Sequence, residues 1–191
     1  MRLKDEQKQQ AIIRAVLELT NERGLAGLKM STLARRAGVA TGTLYTYFED
    51  KEDLLLSVNR SVRNRGAEFL LSRMSSDLGV RERMLAFIAA YTDYVGHNFE
   101  AILFVDLLKR SPVMTEAAKT ETLERYGFLV ELIREGIDSG DIEPGDPEVI
   151  LHVIDSIVKG IVGQVIEVQG NYFPETKDIT RRYAWAAIRA Q

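Results

Sequence analysis

The stretch that decides the fold is Lys29–Leu54, KMSTLARRAGVATGTLYTYFEDKEDL. Its pattern predicts two short helices, over about Thr32–Ala37 and about Gly42–Phe48, with a turn at Gly38 and Val39. Glycine is expected at this turn because a positive φ is needed there. Helices this short are not stable alone, so they must pack on the helices before and after them. This spacing predicts a helix-turn-helix.

The side chains of these two helices divide into a core set and an outer set. The residues expected in the core are Leu33, Ala34, Ala37, Leu44 and Phe48. The residues left on the outer face of the second helix are Thr43, Thr46 and Tyr47, with Tyr45 at its flank. These uncharged groups can hydrogen-bond to base edges or contact thymine methyls.

Capping residues predict where three of the helices begin. Ser31, Thr41 and Asp50 are of the types preferred at helix N-caps. Asp53 follows Asp50 by three residues and makes a capping-box-like pair with it. Lys51 lies at the start of the helix that Asp50 begins, and Arg35 and Arg36 line the outer face of the first short helix together with Thr32. These basic side chains suit phosphate contacts around a base-reading face.

The motif closely resembles the DNA-binding domain of the TetR (tetracycline repressor) family. The resemblance rests on the run Ala34-x-x-x-Gly38-Val39-x-x-Gly42-Thr43-Leu44-Tyr45-x-Tyr47-Phe48-x-x-Lys51-x-x-Leu54 and covers about residues 6–66. The second half is similar, more weakly, to the family's regulatory domain. The resemblance implies a DNA-binding regulator whose DNA contacts come from Thr32, Thr41, Gly42, Thr43, Tyr45, Tyr47 and Lys51.

The rest of the chain also has a helical pattern, with no sustained period-2 alternation. We therefore expect an all-α protein, with a three-helix DNA-binding domain over residues 6–66. A long helix joins it to a helical-bundle ligand-binding and dimerisation domain over residues 67–191. The remaining predicted helices are Asp5–Arg23, Asp50–Ser75, Val80–His97, Phe99–Arg110, Thr115–Ser139, Pro147–Val168 and Thr176–Arg189.

Composition excludes several classes of protein. The chain has 191 residues, two histidines and no cysteine, which rules out disulfides and thiolate metal sites. We find no catalytic motif and expect no enzymatic activity, cofactor or metal. The N-terminus has no signal-peptide pattern and no apolar stretch is expected to span a membrane, so a cytoplasmic location is predicted. Residues 1–65 carry 12 Lys and Arg against 8 Asp and Glu, while residues 66–191 carry 13 against 20.

Aromatic residues are frequent in the acidic second part. Most are expected in its core, but some could line a mostly apolar cavity for a small effector. The candidate lining residues are Tyr91, Phe104, Tyr126 and Asp155.

The helix over Pro147–Val168 carries more apolar residues than one buried stripe needs, so it is a candidate dimer interface. The alternative is that this helix is the buried centre of a monomer. The candidate interface residues are Ile157, Gly160, Ile161, Gly163, Gln164 and Trp185.

Three functions remain open from the sequence. The first is a homodimeric repressor that leaves a double-stranded DNA operator when a small, largely hydrophobic molecule binds. The second is an activator or ligand-independent regulator of the same fold. The third is a helical ligand-binding or interaction protein that does not bind DNA.

Overall fold

The structure is a computed structural model and describes residues 2–190. The described residues form ten α-helices and no strand, which confirms the all-α fold. The helices are α1 (Arg2–Gly27), α2 (Met30–Arg36), α3 (Thr41–Tyr47), α4 (Lys51–Arg73), α5 (Val80–His97), α6 (Phe99–Lys109), α7 (Glu116–Arg125), α8 (Gly127–Asp138), α9 (Pro147–Gln169) and α10 (Thr176–Ile188).

The chain folds into two compact units, and its backbone crosses between them three times. The first unit runs to Arg63 and also takes in Glu100–Thr120. The second unit consists of Asn64–Phe99 and of the chain from Glu121 onward. The domain boundary between residues 66 and 67 stays a prediction. The sequence pattern did not indicate that residues 100–120 return to the first unit.

The first unit has one apolar core, to which each of its main helices contributes. Leu19 of α1, Leu33 of α2, Leu44 of α3 and Leu54 of α4 are fully buried in it. Phe104 of α6 is fully buried in the same cluster. Because α2 and α3 have only seven residues each, this shared core holds them in place.

Two of the three predicted N-caps are wrong. The residues before α2 and α3 are Lys29 and Ala40, and neither caps its helix with a side chain. Ser31 and Thr41 lie inside the first turns, because both helices begin earlier than the polar residues suggested. Packing on the core fixes these starts without a side-chain cap.

The predicted pair at the start of α4 is confirmed. The backbone N–H of Asp53 donates to Asp50 Oδ1 at 2.8 Å. In return, Asp53 Oδ2 accepts from the backbone N–H of Glu49 at 3.0 Å. These two bonds satisfy donors that a helix start otherwise leaves unpaired.

The second unit is built around α5, which packs against α8, α9 and α10. Its helix bounds, Val80–His97, are those predicted. The side chains buried between these four helices include Phe87, Ile88, Leu132, Ile133, Ile154, Val158, Val162 and Ala184. Gly136 of α8 leaves room for its neighbours, since a Cβ there would lie 2.4 Å from Cδ1 of Ile142 in the following loop and 3.3 Å from Cγ1 of Val80 in α5.

The single helix predicted over Thr115–Ser139 is wrong, because it is broken into α7 and α8. The break lies at Tyr126, whose φ of −104° and ψ of 10° leave the helical region. Gly127 follows, and glycine is a poor helix former. No residue of α7 is buried, so packing does not hold the two segments in one helix.

Helix α9 is more apolar than the sequence analysis allowed. It has 23 residues, and its most apolar 18-residue window has a mean hydropathy of 1.8, so by length and composition it could cross a membrane; the expectation that no stretch would qualify is wrong. Only 17% of its most apolar window is buried inside the chain. It also carries an ion pair between Asp155 and Lys159, with 3.0 Å between Oδ2 and Nζ. Most of its apolar surface is therefore left without a partner in the single chain.

Candidate nucleic-acid interface

The turn between α2 and α3 is held by the backbone. Gly38 has a φ of +68°, which confirms the positive φ expected there. The N–H of Val39 donates to the carbonyl of Ala34 at 2.9 Å, so the chain turns directly behind α2. Leu33 and Leu44 are fully buried on the inner faces of the two helices. The outer face of α3 is consequently fixed in direction by rigid neighbours.

The outer face of α3 differs from the predicted one in which tyrosine it presents. Tyr45 is 55% exposed and Thr46 is exposed as well. Tyr47 is half-buried and packs against the apolar core, with its ring centroid 6.3 Å from that of Phe48. Tyr47 follows Leu44 by three residues and therefore lies nearer the inner face than the outer face predicted for it.

The other predicted contact residues lie around this face at different depths. Thr41 and Gly42 are exposed at the start of α3, and Thr43 is half-buried. Thr32 is half-buried on α2. A Cβ built on Gly42 would meet no atom within 4 Å, so the surface beside it is open.

Lys51 is half-buried at the start of α4 and is held by the main chain. Its Nζ donates to the carbonyl oxygen of Leu25 at 2.7 Å. Leu25 comes directly after Gly24, whose φ of +69° interrupts α1. An ammonium group has three hydrogens, so the bond to Leu25 leaves two that could donate hydrogen bonds to a phosphate.

The two arginines at the end of α2 differ in their surroundings. Arg35 is exposed. Arg36 donates to both carboxylate oxygens of Glu22, at 2.8 and 3.0 Å, and to Glu18 at 3.1 Å. The hydrogen bond from Arg36 lowers the pKa of Glu22 below its ordinary value. Arg36 therefore ties α2 to α1, and of the two only Arg35 has no ion pair among the described residues.

In the second unit, two of the four predicted pocket residues contact each other. The hydroxyl of Tyr91 on α5 donates to Asp155 on α9, and Asp155 also pairs with Lys159. The ring of Tyr91 stacks on Phe87, with 5.8 Å between centroids. A half-buried polar group beside aromatic rings is the kind of surface that can orient a small ligand.

The other two predicted pocket residues, Phe104 and Tyr126, are not part of the cluster that Tyr91 and Asp155 form. Phe104 is fully buried in the core of the first unit, so it does not join the set. Tyr126 lies beside Gly66, where a Cβ would be 2.9 Å from its hydroxyl oxygen and 3.3 Å from Tyr94. Burial, and then the neighbouring Tyr126, raise the pKa of Tyr94 to about 12. Tyr94 was not among the predicted pocket residues, although it follows Tyr91 by three residues on α5.

The predicted interface residues lie on α9 and α10, and those on α9 differ in how open their surroundings are. Gly160 and Gln164 are exposed, whereas Ile157, Ile161, Gly163 and Trp185 are half-buried. A Cβ on Gly160 would meet nothing within 4 Å, but one on Gly163 would lie 3.3 Å from the ring of Phe99. Arg81 lies over the ring of Trp185 at 5.8 Å. The exposed side of α9 also includes Val149 and Val153.

Comparison with known proteins places the motif in a family. Residues 12–58 match the sequence profile of the bacterial regulatory proteins of the tetR family. The chain is 29% identical over 141 residues to the fatty acid metabolism regulator protein of Bacillus subtilis, covering 72% of each chain. A TetR family transcription regulator from Marinobacter aquaeolei has the same fold, with a TM-score of 0.89, 23% identity and full coverage of both chains. FadR from Bacillus subtilis, solved in complex with stearoyl-CoA, aligns with a TM-score of 0.73 and 23% identity over 92% of this chain and 96% of that one.

Proposed function

The chain belongs to the TetR family of bacterial regulatory proteins, and from that premise we propose that it is a repressor of transcription. The protein binds a double-stranded DNA operator through α3 and leaves it when a small, largely hydrophobic molecule binds the second unit. The single observation that carries this proposal is the rigidly held, exposed and uncharged outer face of α3. Its place of action is the cytoplasm.

The side chains on and around α3 are of two kinds, one suited to contact bases and the other suited to contact phosphates. Tyr45 and Thr46 offer hydrogen-bonding and methyl groups without charge, which suits base edges in the major groove. Arg35 and the free donors of Lys51 lie at the sides, where they suit phosphates. The proposed DNA-binding domain covers residues 6–66, and residues 67–191 form the proposed ligand-binding and dimerisation domain.

Two observations support a hydrophobic effector. The Bacillus subtilis FadR structure contains stearoyl-CoA, a molecule with a long acyl chain. In this chain, the Tyr91–Asp155–Lys159 cluster places half-buried polar groups beside the buried aromatic ring of Phe87. We propose that the effector places its polar end at this cluster.

The path of the chain supports coupling between the two units. The backbone passes from α5 to α6 through the single residue Asn98. Phe104 and Leu108 of α6 are fully buried in the core that also holds α3. We propose that a ligand that shifts α5 also shifts α6, and that the packing of the core that holds α3 changes as a result. Such a ligand must prefer the state that does not bind DNA.

Dimerisation is proposed through α9 and α10. The exposed apolar side chains on these two helices include Val149, Val153, Val168, Ile179 and Tyr183. A second copy covering them would remove an apolar surface that the single chain leaves in water. One short recognition helix reads few bases, so two copies on two half-sites give useful specificity.

The test is binding to duplexes selected from a random-sequence pool, followed in a gel mobility shift. Tyr45→Ala combined with Lys51→Met should weaken binding at least tenfold while the protein keeps its helical circular dichroism. The matched control is Leu123→Ala, since Leu123 is 54% exposed on α7 and is not among the proposed contact residues. A folded wild-type protein that selects no duplex would overturn the proposal.

The effector is tested on the same selected duplex. Stearoyl-CoA and stearate are the probes, and release of the duplex by either one supports a hydrophobic effector. Tyr91→Phe and Asp155→Asn should raise the concentration needed for release without changing duplex binding in its absence. Release that is identical in wild type and both variants would place the polar end of the effector elsewhere.

A further inference from the structure

Thr46 occupies the centre of the outer face of α3. Successive residues in a helix turn by about 100°, so Thr46 lies roughly 200° around from Leu44. Leu44 is fully buried and Thr46 is exposed, which agrees with this geometry. Gly42 lies one turn earlier on the same side and is also exposed. The middle of the reading face therefore consists of a threonine and a glycine, with Tyr45 beside them.

The hydroxyl hydrogen of Thr46 is already used within the helix. Its Oγ1 donates to the carbonyl oxygen of Thr43 at 2.7 Å. A threonine hydroxyl has only one hydrogen, so no donor remains for a base. What the side chain can offer outward is its Cγ2 methyl group, with acceptor lone pairs on the oxygen.

We propose that Thr46 is a specificity-determining residue that recognises a thymine by contact between its methyl group and the thymine C5-methyl. The major groove exposes that methyl only at thymine, and threonine methyls are suited to contact it. Gly42 leaves open space beside Thr46, since no atom lies within 4 Å of where its Cβ would be. A base edge can therefore approach the helix closely at this point. This inference rests on the proposed DNA-binding function.

The experiment compares thymine with uracil, which lacks only the methyl group. Duplexes that the wild-type protein binds are first selected from a random pool, and each thymine is then replaced singly by uracil. At one thymine in each half-site we expect binding to weaken about fourfold, the value that about 0.8 kcal/mol per buried carbon gives at 1.4 kcal/mol per tenfold. The same replacement at other positions should have less effect.

Two variants assign that loss to Thr46. Thr46→Val keeps a methyl of the same shape and removes the hydroxyl, so the preference for thymine should persist. Thr46→Ser keeps the hydroxyl and removes the methyl, so thymine and uracil duplexes should bind equally. The unfolding midpoint of each variant shows whether α3 is still held.

The failures are distinguishable. If the wild-type protein selects no duplex, the proposed function fails. If it binds a duplex but no uracil replacement weakens binding, the assignment of Thr46 is wrong. The assignment is also wrong if folded Thr46→Ser keeps the full preference for thymine at the sensitive position.

Discussion

Lys51 Nζ, at the start of α4, donates a hydrogen bond to the carbonyl oxygen of Leu25 over 2.7 Å. The bond joins the last turn of α1 to the helix that follows α3. It also counters the unfavourable position of a cation at a helix N-terminus, where Glu52 and Asp53 supply the negative charge. Lys51 therefore has a role in the folded domain before any DNA is present.

Replacing Lys51 by methionine should change both stability and DNA binding. Loss of the bond to Leu25 should lower the free energy of unfolding by about 1 kcal/mol, a typical value for one hydrogen bond. Loss of the charge should reduce the salt dependence of binding by about one phosphate contact. Urea unfolding and binding at several salt concentrations measure the two effects. Lys109→Met, an exposed lysine at the end of α6, is the control and should change neither.

The ion pair of Arg36 predicts a dependence on pH. The pKa of Glu22 is lowered in the folded protein, so its contribution to stability is complete above its ordinary value of 4.5. That contribution is lost as the pH falls through the lowered pKa. Arg36→Gln should therefore unfold at lower urea than wild type at pH 7, and the gap should narrow toward pH 3. A gap that stays constant over this range would contradict the assignment. Because the pair is exposed, the gap itself should be small.

Gly96 should not tolerate a side chain. A Cβ there would lie 2.3 Å from Cγ of Tyr172, whose hydroxyl donates to Asp93 at 2.7 Å. Gly96→Ala should lower the free energy of unfolding by about 1–3 kcal/mol, as overpacking does. Adding Tyr172→Ala should recover part of that loss, because the ring is then absent. Gly127→Ala is the control, since nothing lies within 4 Å of its Cβ position.

The proposed dimer is tested most cleanly at Gly160. Its Cβ position is open, so Gly160→Arg should leave each chain folded and disrupt only the contact with a second copy. The variant should sediment as a monomer at micromolar concentration and bind the selected duplex at least tenfold more weakly. Gly163→Arg is a poorer test, because the ring of Phe99 is 3.3 Å from its Cβ position. Ala117→Arg, exposed on α7, is the control and should stay a dimer. A wild-type protein that is monomeric yet binds tightly would exclude the dimer.

The sequence predicted those features that depend on local patterns. The bounds of α5 and the bond between Asp50 and Asp53 were predicted correctly, because amphipathic spacing and capping are properties of neighbouring residues. The break at Tyr126 was missed because it depends on tertiary packing: α7 buries none of its residues, which the local pattern does not show. Phe104 was misassigned for the same reason. An aromatic residue on an apolar helix gives no indication of which core will bury it.

In the candidate DNA interface, too, features set by neighbouring residues were predicted and features set by tertiary packing were not. The fixed turn at Gly38 and the position of Leu44 followed from spacing. Spacing did not show that Tyr45 is more exposed than Tyr47, because both side chains are amphipathic and α3 is only two turns long. Bonds such as that from Lys51 to Leu25 join residues 26 positions apart and have no local signature.

The return of α6 to the first unit limits how the protein can be cut. A fragment ending near residue 66 would keep the whole motif but lose Phe104 and Leu108, both fully buried in its core. The gap left by a phenylalanine and a leucine is large enough to destabilise a small core by several kcal/mol. A fragment of the chain that ends near residue 66 is therefore not expected to fold stably when it is fused to another protein. Any chimera would have to carry residues 100–120 with it.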